Sequence, residues 1–191
     1  TLGVDVTVVE MLPKILGPMD EELSTELQQA FEKRKVKFHL STKVTAVRDG
    51  KIIAEHEGEQ LEIPFDKLLV SVGRRAVTDG LGLETVGVEL NRGAIVVDEH
   101  LQTSVPGIYA VGDVNGVSML AHTAAREGQV AVHHITDYPD AMSYRAIPGI
   151  VYTDPEIASV GQTEQELRTA GVDYQVHRVP MSLSGRFVIE N

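Results

Sequence analysis

The stretch Val-Asp-Val-Thr-Val-Val-Glu at residues 4–10 is rich in β-branched side chains, which predicts a buried strand. Apolar residues then recur with helical spacing from about Asp20 to Arg34, and Asp20 has a side chain typical of a helix N-cap. Residues 36–40 have the pattern of a second strand. This strand–helix–strand order predicts an α/β domain, and a nucleotide-binding topology and an ordinary α/β domain are both open at this point.

The residues that follow have the pattern of a β-meander. Strands are predicted at 44–47 and 52–54, on either side of Asp49-Gly50, a dipeptide typical of hairpin turns. A weak strand at 61–63 comes next, and the continuous apolar run at 68–72 indicates a central strand. The chain therefore leaves the sheet for a meander and then returns to it.

Beyond Gly73 the pattern changes to short apolar segments separated by turns. The elements predicted there are strands at 95–97 and 108–111, a helix at 119–135, a linker at 141–148, and an α+β unit with two strands, a helix at 163–170 and a strand at 172–180. No closing element is predicted for 187–191, and the first strand begins almost at Thr1. We therefore expect the chain to be an interior piece of a longer protein.

The composition disfavours several classes of function. The 28 acidic and 17 basic residues give a net charge of −11, which disfavours a nucleic-acid partner because phosphate binding needs clustered Lys and Arg. The chain contains no cysteine, which rules out a redox thiol pair within it. No apolar run reaches the roughly 18–20 residues of a membrane span. The adjacent His133 and His134 face different sides of a helix, so no metal site is predicted.

Three places have side chains suited to a nucleotide or flavin. Glu10 ends the first strand, where an acidic residue can accept hydrogen bonds from the ribose of NAD and repel the 2′-phosphate of NADP. The strand Ile108-Tyr109-Ala110-Val111 runs into Gly112 and Asp113, and a carboxylate at that strand end can accept from ribityl hydroxyls. A solvated strand end for Glu10 and a plain Gly-Asp turn are the alternatives.

The third place is the start of the long helix at Met119-Leu120-Ala121-His122. Amides in a first helical turn lack intrahelical partners, and with the helix dipole they favour a phosphate or the anionic edge of a reduced flavin. An ordinary histidine at a helix start is the simpler interpretation of His122.

In this order, these strings resemble the pyridine nucleotide–disulfide oxidoreductase family over essentially the whole chain. The matching strings are Val6–Glu10 (NAD domain), Leu69–Arg75 (the Gly-Arg signature), Ile108–Val114 (second flavin motif), Met119–His122 (lipoamide branch) and Ile147–Gly161 (dimer-interface domain). Ala76 stands where the family usually has Pro, and Asp154 where His or Glu is more familiar.

The resemblance implies an α/β fold with three parts. These are the second half of a Rossmann-like NAD-binding domain with a β-meander (1–76), the C-terminal segment of the FAD-binding domain (77–142) and the truncated N-terminal part of an α+β dimerisation domain (143–191). The family's redox cysteine pair lies before this segment and its catalytic His–Glu pair after it, so the resemblance implies no catalytic residue within the chain.

The resemblance also implies roles for individual residues. Those implied to bind cofactors are Glu10, Val44 and Gly73 for NAD, Asp113 for the ribityl chain of FAD, and Met119, Leu120, Ala121 and His122 for the isoalloxazine ring.

The implied parent protein is a homodimer that oxidises dihydrolipoamide through a redox disulfide and FAD and reduces NAD⁺. Its implied partner is the dihydrolipoyl group of a 2-oxo acid dehydrogenase or glycine cleavage complex. The implied compartment is the cytoplasm, or the mitochondrial matrix if a transit peptide precedes Thr1. The alternatives are a related NAD(P)H-dependent disulfide or mercuric reductase, an NADH oxidase, and a non-catalytic folding module in the isolated segment.

Overall fold

The structure, a computed structural model, describes residues 3–190. The chain divides into two compact units, each of which mixes helices and strands. Unit 1 contains residues 1–63 together with 150–191, and unit 2 contains residues 64–149. Within the described residues, no helix is long and apolar enough to cross a membrane.

Unit 1 begins with the predicted strand–helix–strand arrangement. Strands β1 (Thr7–Val9) and β2 (Lys37–His39) pair in parallel, and helix α1 (Glu21–Lys33) connects them. The predicted burial of the first strand is wrong, since Val4 is 68% and Val6 44% exposed. Only β2 pairs with β1 within the described residues, so the strand lacks the second neighbour that a buried parallel strand needs.

Helix α1 forms as its sequence pattern predicts. Its buried face is centred on Leu27, which is 1% exposed and packs with Met19 and Ile157. The Asp20 Oδ1 atom accepts a hydrogen bond from the amide of Glu22 at 3.1 Å, the contact expected of an N-cap. The predicted helix and its cap are therefore confirmed.

The meander is a three-stranded sheet in the order β3 (Thr42–Arg48), β4 (Lys51–His56) and β5 (Glu59–Pro64). The antiparallel β3–β4 hairpin turns at Asp49 and Gly50, whose φ angles of 51° and 70° suit a turn with two left-handed residues. The predicted hairpin is confirmed.

Unit 2 is built around one long helix and several short elements. These are α2 (Leu83–Val86), β6 (Leu90–Asn91), β7 (Ala94–Ile95), a 3₁₀ turn (Gly112–Asn115) and α3 (Ala121–Ile135). Leu101 and Val130 are fully buried in one apolar cluster, and Val88, Ile95 and Ala110 form a second. The predicted helix starts two residues too early and ends at the observed residue.

Three predicted strands are not observed. Residues 68–72 form no strand, and Leu69 and Val72 are 88% and 92% exposed. Residues 108–111 are extended with one bridge between Gln102 and Tyr109, and 172–180 form no strand. A strand needs a neighbour with which it exchanges backbone hydrogen bonds. Among the described residues, 108–111 exchanges only isolated bonds with 101–103, and no strand pairs with 68–72 or 172–180.

The end of the chain contains strands β8 (Gly149–Val151) and β9 (Ile157–Ser159), which pair with each other, and helix α4 (Glu164–Thr169). Thr163 and Glu166 form a reciprocal capping box at the start of α4. A 3₁₀ turn (Met181–Leu183) and helix α5 (Gly185–Glu190) follow, where no closing element was expected.

Asp20 caps two helices of unit 1 at once. Besides its bond to Glu22, its Oδ2 atom accepts from the amide of Glu164 at the start of α4, at 2.9 Å. The hydrogen bond from Glu164 is the main cause that lowers the pKa of Asp20. Within unit 1, this side chain therefore joins two helix ends that are 144 residues apart in sequence.

We expect Asp20→Ala to destabilise both helix starts by about 1–2 kcal/mol, the usual cost of a lost N-cap. Hydrogen-exchange mass spectrometry would show faster exchange at the amides of Glu22 and Glu164. Asp20→Asn has one acceptor oxygen, so only one of the two amides should exchange faster. The control is Glu26→Ala on the exposed side of α1. Unchanged protection at Glu164 in Asp20→Ala would contradict the double cap.

An ion-pair cluster holds the end of α3 to the segment after it. Arg126 contacts Asp140 through two hydrogen bonds of 2.6 and 2.7 Å, and His133 Nδ1 lies 2.7 Å from the same carboxylate. The Asp140 side chain is only 16% exposed. The pKa of Asp140 is strongly lowered, first by the Arg126 hydrogen bonds and then by His133.

This lowered pKa predicts an acid-sensitive contribution to stability. An aspartate with a lower pKa in the folded state stabilises that state fully above its unfolded pKa of about 3.9, and loses the effect as the pH falls below it. We therefore expect wild type to have a higher thermal midpoint than Asp140→Asn at neutral pH, and the difference to shrink from about pH 5 downward. Asp137→Asn, on an exposed residue, is the control. A pH-independent difference would contradict the prediction.

Candidate functional site

The candidate site in unit 2 lies where the 3₁₀ turn at Gly112–Asn115 meets helix α3. The extended segment before the turn is held by hydrogen bonds from the amide of Ala110 to the carbonyl of Leu101 and from that of Thr103 to Ile108. Asp113 therefore stands just after an extended segment, as the sequence predicts, although that segment is not a regular strand.

Gly112 explains why the turn and helix can approach closely. Its φ is +79°, a left-handed conformation that favours glycine, and a Cβ atom built there would lie 3.3 Å from the Cβ of Ala124 in α3. In the structure, helix α3 occupies that space.

Glu127 is the residue of this site that the sequence analysis missed. It is fully buried in α3, and its Oε2 accepts from the Gly112 amide at 2.5 Å and from Asn115 Nδ2 at 3.0 Å. Its Oε1 accepts from the Tyr144 hydroxyl at 2.7 Å. Burial, followed by the hydrogen bond to Glu127, raises the pKa of Tyr144, which keeps its hydroxyl protonated as a donor.

The Asp113 carboxylate takes no part in this buried network. Its side chain is 50% exposed, and the one contact that the described residues make with its oxygens is a 3.4 Å bond from Arg74, which is itself 76% exposed. An ion pair that is so long and exposed contributes little stability. The carboxylate is therefore available as an acceptor for the hydroxyls of a ligand.

The start of α3 provides donors without a protein cap. The N-cap residue Leu120 makes no side-chain hydrogen bond to the first turn, whose amides point toward the N-terminal end of the helix. Leu120, Ala121 and His122 are exposed. His122 Nε2 lies 2.9 Å from the carbonyl of Pro148 and therefore donates to it.

An open groove of about 470 Å³ runs beside this site in unit 2. Its lining includes Arg74, Arg92, Asn115 and Met119. On a chain with a net charge of −11, these arginines form a local positive surface suited to an anionic group. The predicted site residue Met119 thus lies on the same groove as Asn115, which is fixed by Glu127.

Gly73 also belongs to unit 2. It is exposed with a φ of +107°, and a Cβ atom built there would meet nothing within 4 Å. The structure therefore leaves open space around the backbone at the position that the resemblance assigns to the bound dinucleotide.

Glu10 and Val44 lie in unit 1, at the ends of strands that meet. The amide of Thr42, the first residue of β3, donates to the Glu10 carbonyl at 2.9 Å, and Val44 follows two residues later, 43% exposed. The Glu10 Oε1 atom accepts from the Leu12 amide at 2.8 Å, which orients the carboxylate. The structure thus brings Glu10 near the start of β3.

Comparison with known proteins identifies the family. The family described as pyridine nucleotide-disulphide oxidoreductase matches residues 1–128, about two thirds of the chain. The chain belongs to this family. Its dimerisation domain matches residues 147–191. The mixed α/β fold expected from the sequence is thereby confirmed.

The relatives include dihydrolipoyl dehydrogenases. The chain is 44% identical to the mitochondrial dihydrolipoyl dehydrogenase 2 of Arabidopsis thaliana, over 97% of this chain and 38% of the relative. It is 43% identical to the dihydrolipoyl dehydrogenase of Thermus scotoductus, over 97% of this chain and 41% of that protein. The chain therefore spans about two fifths of the length of these curated relatives.

A solved structure with a similar fold is the HOCl-induced flavoprotein disulfide reductase RclA of Escherichia coli. It is 27% identical to this chain, with a TM-score of 0.81 over 99% of this chain and 44% of RclA. The family, the fold and the relatives thus agree with the resemblance seen in the sequence.

Proposed function

We propose that the full-length protein containing this chain is a dihydrolipoyl dehydrogenase. In the proposed reaction, the dithiol of a dihydrolipoyl group is oxidised to a disulfide, and its two electrons pass through a redox disulfide and FAD to NAD⁺, giving NADH and a proton. The observation that carries this proposal is the 44% identity to a protein of that name over 97% of the chain.

The donors and acceptors of unit 2 suit a flavin. The half-exposed Asp113 carboxylate can accept from ribityl hydroxyls, and the uncapped amides at the start of α3 can donate to the electron-rich N1–C2=O edge of the ring. Met119, Leu120, Ala121 and His122 line that edge in the proposed site. Bound FAD supplies the electron transfer between the disulfide and the nicotinamide.

This chain's residues bind, orient and shape the charge around the cofactors. The proposed NAD-binding residues are, in unit 1, Glu10 for the adenosine ribose and Val44 for the adenine side and, in unit 2, Gly73 beside the dinucleotide. Glu10 suits this role because Leu12 orients its carboxylate at the end of β1. None of these residues takes or gives the electrons.

We propose the domain limits 1–76, 77–142 and 143–191 for the NAD-binding, FAD-binding and dimerisation parts. The match of 147–191 to a dimerisation domain supports a homodimer. The proposed partner is the dihydrolipoyl group of a 2-oxo acid dehydrogenase or glycine cleavage complex. The proposed compartment is the cytoplasm, with the mitochondrial matrix as the alternative because the names of some relatives include mitochondrial forms.

A second candidate function is NAD(P)H-dependent reduction of a different disulfide. The similarity to RclA, a flavoprotein disulfide reductase, favours this candidate. Its identity to the chain is 27%, against 44% for the dihydrolipoyl dehydrogenase of Arabidopsis, so we place it second.

The test is to assay the purified full-length protein with dihydrolipoamide and NAD⁺, and in parallel with NADH and glutathione disulfide. We expect NADH formation in the first assay and little turnover in the second. Turnover with glutathione disulfide and none with dihydrolipoamide would replace the proposal with the second candidate. The isolated 191-residue chain is expected to elute from gel filtration without flavin, because it spans only about two fifths of its relatives.

A further inference from the structure

We propose that Glu127 is a positioning residue for the flavin site. It fixes Asp113, the start of α3 and the segment that contacts His122 in one arrangement. This inference rests on the proposed function, since it concerns the flavin site of unit 2. Glu127 itself is buried and acts through the residues that it holds.

Glu127 holds both ends of the turn that carries Asp113. Its Oε2 atom accepts from the amide of Gly112 and from the side chain of Asn115, the first and last residues of the 3₁₀ turn. Asp113 lies between these two fixed points, and Gly112 also packs against Ala124 of α3. One buried carboxylate therefore fixes, relative to α3, the turn from which the Asp113 side chain extends.

Glu127 also holds the segment that follows α3. Its Oε1 atom accepts from Tyr144, and four residues after Tyr144 the carbonyl of Pro148 accepts from His122 in the first turn of α3. The segment from Tyr144 to Pro148 is thus attached to α3 at two points. Removing the Tyr144 contact would free one end of the segment that orients His122.

The choice of a carboxylate at this position is informative. Burying an acidic group inside an apolar stripe is unfavourable unless all its hydrogen bonds are made, and an apolar residue would fill the same space at lower cost. Its helix neighbours Val130 and Ala131 are apolar and buried. The three directional hydrogen bonds that Glu127 accepts therefore fix the positions of its partners, which an apolar side chain of the same size would not do.

The test uses the full-length protein with Glu127→Leu and Glu127→Gln. The leucine variant removes all three acceptor contacts and so releases the turn that carries Asp113. We expect the flavin dissociation constant to rise at least about tenfold, the effect expected if the displaced Asp113 carboxylate loses one hydrogen bond to the flavin. Glutamine can accept from Gly112 and Asn115 through its oxygen and donate to the Tyr144 oxygen. We expect the glutamine variant to bind flavin within about threefold of wild type, because these contacts keep its partners in place.

Leu101→Ala is the matched control for general destabilisation, because Leu101 is equally buried in unit 2 and belongs to an apolar cluster. Thermal midpoints and the absorption spectrum of the bound flavin are measured for each variant. The proposal predicts that Glu127→Leu weakens flavin binding and shifts the flavin spectrum more than Leu101→Ala does at a comparable loss of thermal stability.

Three outcomes would overturn the proposal or its basis. Equal flavin loss in Glu127→Leu and Leu101→Ala, at a matched loss of stability, would make Glu127 a structural residue only. Failure of Glu127→Gln to restore binding would show that the hydrogen-bond geometry is not what matters. A wild-type protein without flavin would refute the proposed function instead. If Asp113→Ala lost its flavin and Glu127→Leu did not, only the role of Glu127 would be refuted.

Discussion

Asp113→Ala is expected to release FAD from the full-length protein, with a dissociation constant raised by at least about tenfold. Hydrogen bonds to a charged group contribute about 1.5–3 kcal/mol each, and a ribityl chain offers several hydroxyls to this carboxylate. The measurement is the ratio of flavin to protein absorbance after gel filtration, followed by titration of the apoprotein with FAD. Asp113→Asn keeps the shape without the charge, and we expect an intermediate affinity.

The flavin loss should occur without a matching loss of stability. The contact from Arg74 to Asp113 is long and exposed, so its removal costs the folded protein little. We expect the thermal midpoint of the apoprotein to be nearly unchanged. Asp79→Ala, which removes another exposed aspartate of unit 2, is the charge control. If Asp113→Ala bound flavin with wild-type affinity, Asp113 would not be the acceptor on which the proposed site depends.

The parts of the fold that the sequence predicts well are those stabilised by near neighbours in the chain. Helix α1 ends within one residue of its prediction because its apolar spacing and the Asp20 cap are local features. The hairpin at Asp49-Gly50 depends on two residues that tolerate a left-handed backbone. Neither feature requires knowledge of the rest of the molecule.

The run at 68–72 shows where such patterns fail. Its apolar residues predict a strand, yet a strand is defined by pairing with another one, and the described residues provide no partner. The apolar run indicates that these side chains favour burial. The run does not indicate whether a neighbouring strand is present.

Glu127 illustrates the same limit within the candidate site. The sequence indicates separately that the turn at Asp113 and the start of α3 suit a flavin, and the structure places the turn and the helix in contact through Gly112 and Ala124. The one signal that could have pointed to Glu127 is an acidic residue seven positions after Leu120, on the apolar face of the helix. No spacing in the sequence predicts its contact with Tyr144, which lies 17 residues away.

Glu10 gives the second large prediction, a change in cofactor preference. Its carboxylate is oriented by the Leu12 amide, and its Oε2 atom makes no hydrogen bond within the described part of the chain. The next basic residue along the chain, Lys14, donates to the carbonyl of Met19 at 2.8 Å. Lys14 is therefore engaged elsewhere in unit 1, and the end of β1 carries the negative Glu10 carboxylate.

We therefore expect Glu10→Gln in the full-length protein to raise the kcat/KM for NADPH relative to NADH by about tenfold or more. Two unit charges about 4 Å apart repel by about 1–4 kcal/mol at effective dielectric constants of 80 to 20, and 1.4 kcal/mol corresponds to a factor of ten. Glu21→Gln removes an exposed charge from α1 of the same unit and should leave the ratio unchanged. Because a change in overall stability would affect both cofactors equally, only a change in the ratio supports this role, and a ratio equal to that of wild type would contradict it.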